Sequence, residues 1–141
     1  LITLGEASNF AIEQLGLPVR NDLKNLSIKE FFAPGTIVNL KLNDPDNPIS
    51  TGLTEQVPAY IINPIAFSTS VYSDKINTIA TFDEVNLLLS GYLLGLDKIK
   101  GKIALCEVPY EKGKVFLFAF RPQHRSQTWA TFKFLFNAIL N

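Results

Sequence analysis

The 141-residue chain holds a single His and a single Cys, so its capacity for chemistry gathers in two short polar runs. The denser is Phe120-Arg121-Pro122-Gln123-His124-Arg125-Ser126-Gln127, between a strand-like run and the last helical stretch. In open α/β sheets, ligands sit in crevices outside the carboxyl ends of strands, and a helix N-terminus favours negative charge. Arg121 and Arg125 can clamp a carboxylate or phosphate there in bidentate fashion, with Gln123 beside them. His124 is a proton carrier by type, but a general base needs an orienting partner, and the sequence identifies none. The structural alternative is a polar turn whose arginines bond backbone carbonyls and nearby carboxylates. The second run, Gly5-Glu6-Ala7-Ser8, falls at a strand-to-helix turn, where α/β proteins place nucleophiles or bind anions. It offers Ser8 as a nucleophile and Glu6 as a base or ligand contact. Yet the Gly-x-Ser-x-Gly elbow is absent, and one glycine is too few for a phosphate cradle. A turn with Ser8 or Glu6 capping the helix is the simpler expectation.

Composition narrows the classes further. Lys and Arg number 13 against 13 Asp and Glu, a formal net charge of +0. Nucleic-acid binding needs surplus positive charge to displace counterions, so no nucleic-acid partner is expected. One His and one Cys cannot furnish the nitrogen and sulfur ligands of a zinc site, so no metal is expected on this chain. Asn43 to Asn47 lacks the Gly and terminal Glu of a calcium loop, and Asp44, Asp46, Asp74, Asp83 and Glu84 form no such pattern. Cys106 has no partner for an internal disulfide and so leaves the redox compartment undetermined. The longest apolar stretch, Leu87 to Leu96, is about half the roughly 20 residues a membrane helix needs and is broken by Ser90 and Gly91. The sequence contains no Met and opens inside an apolar run. We expect residues 1–141 to be one accessory domain, the C-terminal fragment of a longer polypeptide, with an exposed hydrophobic border where upstream chain is missing.

The elements that position these residues follow from periodicity. Leu1 to Leu4 reads as a buried strand ended by Gly5. A helix is predicted over Ala7 to Leu15, with Ala7, Phe10, Ala11 and Leu15 on its apolar face and Gly16 as the left-handed C-terminal residue. Thr36 to Leu42 alternates as a strand, with Val38, Leu40 and Leu42 on one face. The Asn43 to Pro48 run is a loop. Ala59 to Ile62, Ala66 to Tyr72 and Asn77 to Phe82 are short strands. Lys102 to Val108 and Lys114 to Phe120 are expected to pair antiparallel across a five-residue connector, Pro109 to Gly113. A final helix is expected from Ser126, its N-cap, to Leu140, burying Trp129, Phe132, Leu135, Phe136 and Ile139. Strand, tight turn and helix at the start make this an α/β layer fold with a mixed central sheet.

Three segments are similar to a known family. Residues 112–140 (KGKVFLFAFRPQHRSQTWATFKFLFNAIL) resemble the carboxyl-terminal end of large bacterial zinc carboxypeptidases of the carboxypeptidase A type. Residues 1–21 and 87–95 (LLLSGYLLG) resemble earlier stretches of the same tail. The resemblance implies a three-layer, flavodoxin-like module related to class I glutamine amidotransferases. It also implies an upstream peptidase domain that carries zinc through a His-x-x-Glu and a later His, with a Glu as general base. This chain has no His-x-x-Glu. Gly5-Glu6-Ala7-Ser8 stands where active amidotransferases carry a Cys nucleophile, and Cys106 lies inside a strand. No catalytic residue is therefore carried over. The expected role is a non-catalytic accessory domain of a secreted or periplasmic metallocarboxypeptidase, packed on its peptidase domain or holding a protein or peptide partner. The alternative is a small-molecule or anion-binding module at the sheet's carboxyl edge, using Glu6, Arg121, Gln123, His124 and Arg125. A hydrolase or amidotransferase acting through Ser8 and His124 is the least supported reading.

Overall fold

The computed structural model describes residues 1–69 and 75–141. It has an α/β fold built on a mixed nine-strand sheet with two helices. In chain order the elements are β1 (Ile2–Leu4), α1 (Ala7–Leu15), β2 (Val19–Asn21), β3 (Thr36–Leu42), β4 (Gln56–Ile61) and β5 (Phe67–Thr69). They continue with β6 (Asn77–Phe82), β7 (Leu88–Gly91), β8 (Ile103–Tyr110), β9 (Gly113–Phe118) and α2 (Ala130–Leu140). The main path of the sheet runs β1-β9-β8-β6-β3-β4; β5 bridges β2 to β8, and β7 adds to β3. β1 lies parallel to β9, whereas β8 and β9 form an antiparallel hairpin. No helix among the described residues is long and apolar enough to cross a membrane.

The buried side chains explain this order. Val115 to Phe120 is buried throughout, as befits a strand covered on both faces. Val38, Leu40 and Leu42 are buried and Lys41 is exposed, as alternation requires, but Asn39 is buried as well. The connector between β8 and β9 is shorter than expected, since Tyr110 pairs with Gly113 around Glu111 and Lys112 alone. Pro109 sits in the ladder opposite Lys114, past Glu107, the last β8 residue that pairs with β6. Its missing N–H therefore costs no bond on the β6 side. Of the expected Ala66 to Tyr72 strand, Phe67–Thr69 is present, and residues 70–72 lie outside the described residues, as does Asp74. β2 and β7 were not anticipated: three and four residues are too few to show a period.

α1 keeps its expected extent, α2 starts later than expected, and both turn a different face inward. α1 closes on Gly16 (φ 61°), whose N–H reaches the Ile12 carbonyl. It buries Ser8 and Ala11 and leaves Phe10 exposed. α2 starts at Ala130, because Arg125 and Ser126 take left-handed backbone (φ 49° and 53°) and break the run. Ser126 is thus no N-cap. α2 buries Thr131, Phe134 and Ala138, while Phe132 and Leu135 are half-buried and Trp129, Phe136 and Ile139 are exposed. Polar anchors decide the face. Thr131 donates to the Pro122 carbonyl at 2.7 Å, and the Asn137 amide donates to Ile49 and Thr51 carbonyls at 2.9 and 3.0 Å. Turning the Trp129 face inward would strand these groups.

Candidate functional site

Parallel pairing brings the carboxyl ends of β1 and β9 out side by side, so the two polar runs of the sequence meet at Gly5 and Arg121. The Gly5 N–H donates to the Phe118 carbonyl at 2.9 Å, and Gly5 takes φ 57°. A Cβ on Gly5 would lie 3.5 Å from Cγ and Nε of Arg121. Glycine both permits this turn and lets the arginine stem lie against it.

The supposed nucleophile is a structural group. Ser8 is fully buried, its hydroxyl donating to the Phe118 carbonyl at 3.2 Å and sharing a 2.9 Å bond with Thr3 Oγ1. Neither Ser8 nor Glu6 caps α1 through its side chain. Ser8 serves instead as the polar pin between α1 and β9. His124 stacks on Tyr60, with ring centroids 5.2 Å apart and planes 5° from parallel. The structure therefore does not join Ser8, His124 and an acid into a triad. Cys106 is buried in β8, and burial pushes its thiol up to about 12.

The predicted ligand residues divide into two groups. Arg121, Gln123 and Arg125 are exposed around the 3₁₀ turn His124–Ser126. Neither arginine has an acidic partner among the described residues. Glu6 lines a cleft of about 310 Å³ beside the β1–α1 turn, to which none of those three contributes. Leu23, Ala33, Pro64 and Ile65 form its buried floor, and Ile28 and Phe32 its exposed apolar wall. Asn9 and Asn63 stand on its polar rim. Sequence reading missed the cleft because its walls come from four separated segments, and the bridge that holds one of them, Phe32 to Leu94, is isolated. A second cleft of about 470 Å³ adjoins the β6–β7 corner. Its buried carboxylate, Asp83, is spent on the turn itself, accepting from the Val85 and Asn86 N–H groups at 2.8 and 2.7 Å.

Beside β5, Asp22 is paired with two cations, Arg20 and Lys102. Partial burial pushes the Asp22 carboxyl up, but hydrogen bonds from Lys102, Ser68 and Arg20, with the Lys102 charge, together hold it below its ordinary value. Among the described residues, no three His, Cys, Asp or Glu side chains gather where they could hold a metal ion. The donor set therefore does not fit zinc on the described part of this chain. No protein-family model matches the chain, and no curated protein matches it.

Proposed function

We propose that this chain is a non-catalytic accessory domain that docks onto an upstream peptidase domain of the same polypeptide. The observation that carries this reading is the outward face of α2. Trp129 is 78% exposed and Phe136 58%, with Ile139 and Leu140 beyond them. A contiguous apolar face of this kind marks an interaction surface on a folded protein. β1 extends the same border, because among the described residues it pairs with β9 alone. Leu1 and Ile139 flank one shallow groove there.

In this proposal the parent is a secreted or periplasmic zinc metallocarboxypeptidase, with zinc and hydrolysis on the upstream domain. The resemblance of residues 1–21, 87–95 and 112–140 supports that assignment. The β1–α1 unit and the parallel β1–β9 pair support the finer fold, a three-layer flavodoxin-like module of the glutamine amidotransferase kind. The locked Ser8 hydroxyl supports the non-catalytic role.

Three measurements test it. The purified chain should bind no stoichiometric zinc and hydrolyse no peptide; either activity refutes the non-catalytic role. Joined to its upstream region, α2 amides should exchange more slowly than in residues 1–141 alone. Equal exchange rates would refute docking through α2. A second reading, an anion site at Arg121, Gln123, His124 and Arg125, draws on two arginines without an acidic partner among the described residues, of which Arg121 lies against Gly5 at the start of α1. Calorimetry with phosphate and acetate, repeated on Arg125→Ala, decides it: no heat, or heat unchanged by the substitution, removes it.

A further inference from the structure

The cleft beside the β1–α1 turn has a chemical character that neither reading uses. Its wall exposes large apolar side chains: Ile28 is 75% exposed and Phe32 39%. Apolar surface left in water and rimmed by polar groups is characteristic of a ligand groove. Its volume of about 310 Å³ suits a small ligand, at the lower end of the usual roughly 300–1,000 Å³. The rim supplies hydrogen-bonding groups with capacity to spare. The Asn9 carbonyl oxygen accepts from Asn21 at 3.1 Å, which leaves the Asn9 amide N–H groups to donate. Among the described residues, the side chains of Glu6 and Asn63 make no hydrogen bond. Asn63 is also held at φ 44° by its N–H bond to the Ala33 carbonyl, a backbone state that costs a non-glycine residue about 1 kcal/mol or more.

Charge settles what kind of ligand fits. Lys24, at the cleft's edge, is engaged by Glu13. Glu6 has no ion-pair partner among the described residues. The cleft thus offers neutral acceptors and a donor beside one unpaired carboxylate, Glu6. An anion would be repelled, whereas a peptide unit finds both partners it needs, an acceptor for its N–H in Glu6 or Asn63 and a donor for its carbonyl in Asn9.

We propose that this cleft binds a short segment of polypeptide with a large apolar side chain. That side chain lies on Ile28 and Phe32. The flanking backbone N–H groups donate to Glu6 and Asn63, and a backbone carbonyl accepts from the Asn9 amide. The site lies apart from the α2 face, so the inference stands or falls independently of docking there.

The test is a titration of residues 1–141 with the blocked tripeptide N-acetyl-Ala-Phe-Ala-amide, followed by amide chemical shifts. Saturable shifts centred on Glu6, Asn9, Ile28 and Asn63 are expected, with N-acetyl-Ala-Ser-Ala-amide binding about tenfold more weakly. Ile28→Ser should weaken the Phe peptide by about tenfold, and Asn9→Ala by about fivefold, with the thermal midpoint of Ile28→Ser unchanged. Equal binding of the Ser and Phe peptides would overturn the proposal. So would shifts centred elsewhere, or an Ile28→Ser variant that binds as well as the parent. N-Acetylphenethylamine, which keeps the ring and one amide, should bind more weakly than the tripeptide; equal affinity would overturn the polypeptide part.

Discussion

Replacing Phe134 by alanine tests which face of α2 holds the domain together. Phe134 is 0% exposed and meets Phe120 edge-on, ring centroids 6.4 Å apart and planes at 65°. Its removal forfeits the transfer energy of a whole ring and opens a cavity that rigid β-sheet neighbours cannot fill, so about 3–5 kcal/mol should be lost. The same substitution at Phe136 removes a side chain that is 58% exposed and stacked on Phe132 at 6.1 Å. Less than half of the ring's transfer energy is at stake there and no closed cavity forms, so about 1 kcal/mol is expected. Total stability of a domain is about 5–15 kcal/mol, so Phe134→Ala could fail to fold; Phe134→Leu, expected to cost about 1–2 kcal/mol, keeps the test alive. Urea unfolding followed by far-ultraviolet circular dichroism gives each difference from the midpoint and slope. If Phe136→Ala costs as much as Phe134→Ala, the outward face is buried in solution and the assignment of faces is wrong.

Ser8→Ala should lower stability by about 1 kcal/mol, through loss of the bonds to Phe118 and Thr3, and a fluorophosphonate probe should leave native Ser8 unlabelled; labelling would show an exposed hydroxyl. Because the Asp22 carboxyl is held below its ordinary value in the fold, the unfolded chain takes up its proton first as pH falls. Its contribution is complete above pH about 4 and is lost as pH drops through the lowered folded value, so Asp22→Asn should flatten the acid limb of a stability–pH curve. An acid limb of the same slope in the variant would refute this. Gly95→Ala should cost about 2 kcal/mol or more, since Gly95 sits at φ 77° and a Cβ would run into the Glu30 carbonyl. A loss below about 0.5 kcal/mol in thermal unfolding would show that the Phe31 segment yields freely. Cys106, buried with its thiol pushed up to about 12, should react with a thiol reagent at pH 8 only as fast as the fold opens; a rapid native reaction would contradict that burial.

The parts legible in the sequence were those whose signal is local. α1 ends where Gly16 supplies left-handed backbone, and β6 occupies its expected residues because Asn77 to Phe82 is β-branched and bounded by polar residues. The faces of the helices were not legible by hydrophobicity. Phe132, Phe134 and Phe136 are equally apolar, yet Phe134 points into the core while Phe132 and Phe136 stack on another side of α2. What selects among them is polar: Thr131 must meet the carbonyl of Pro122 in the preceding loop, and Asn137 those of Ile49 and Thr51, which are distant in sequence. The same holds at Ser8, whose inward turn is set by a carbonyl of β9 and not by any pattern within α1.

The site divides along the same line. Both runs read as strand ends, but that Gly5 and Arg121 meet is a result of the parallel β1–β9 pair, for which the sequence held no local signal. That Glu6 would line a cleft without Arg121 did not follow either, because a helix start fixes where the chain goes but not which way its side chains turn. The two polar runs of the sequence therefore stay two half-sites, with cations around Arg125 and, at Glu6, a carboxylate unpaired among the described residues. Their separation has a consequence for chemistry. Proton transfer and nucleophilic attack need donor, acceptor and substrate within hydrogen-bond reach of one another, whereas recognition needs only complementary surfaces. In this fold Ser8 is spent on a helix–sheet bond and His124 on a stack against Tyr60, so neither is presented to the other.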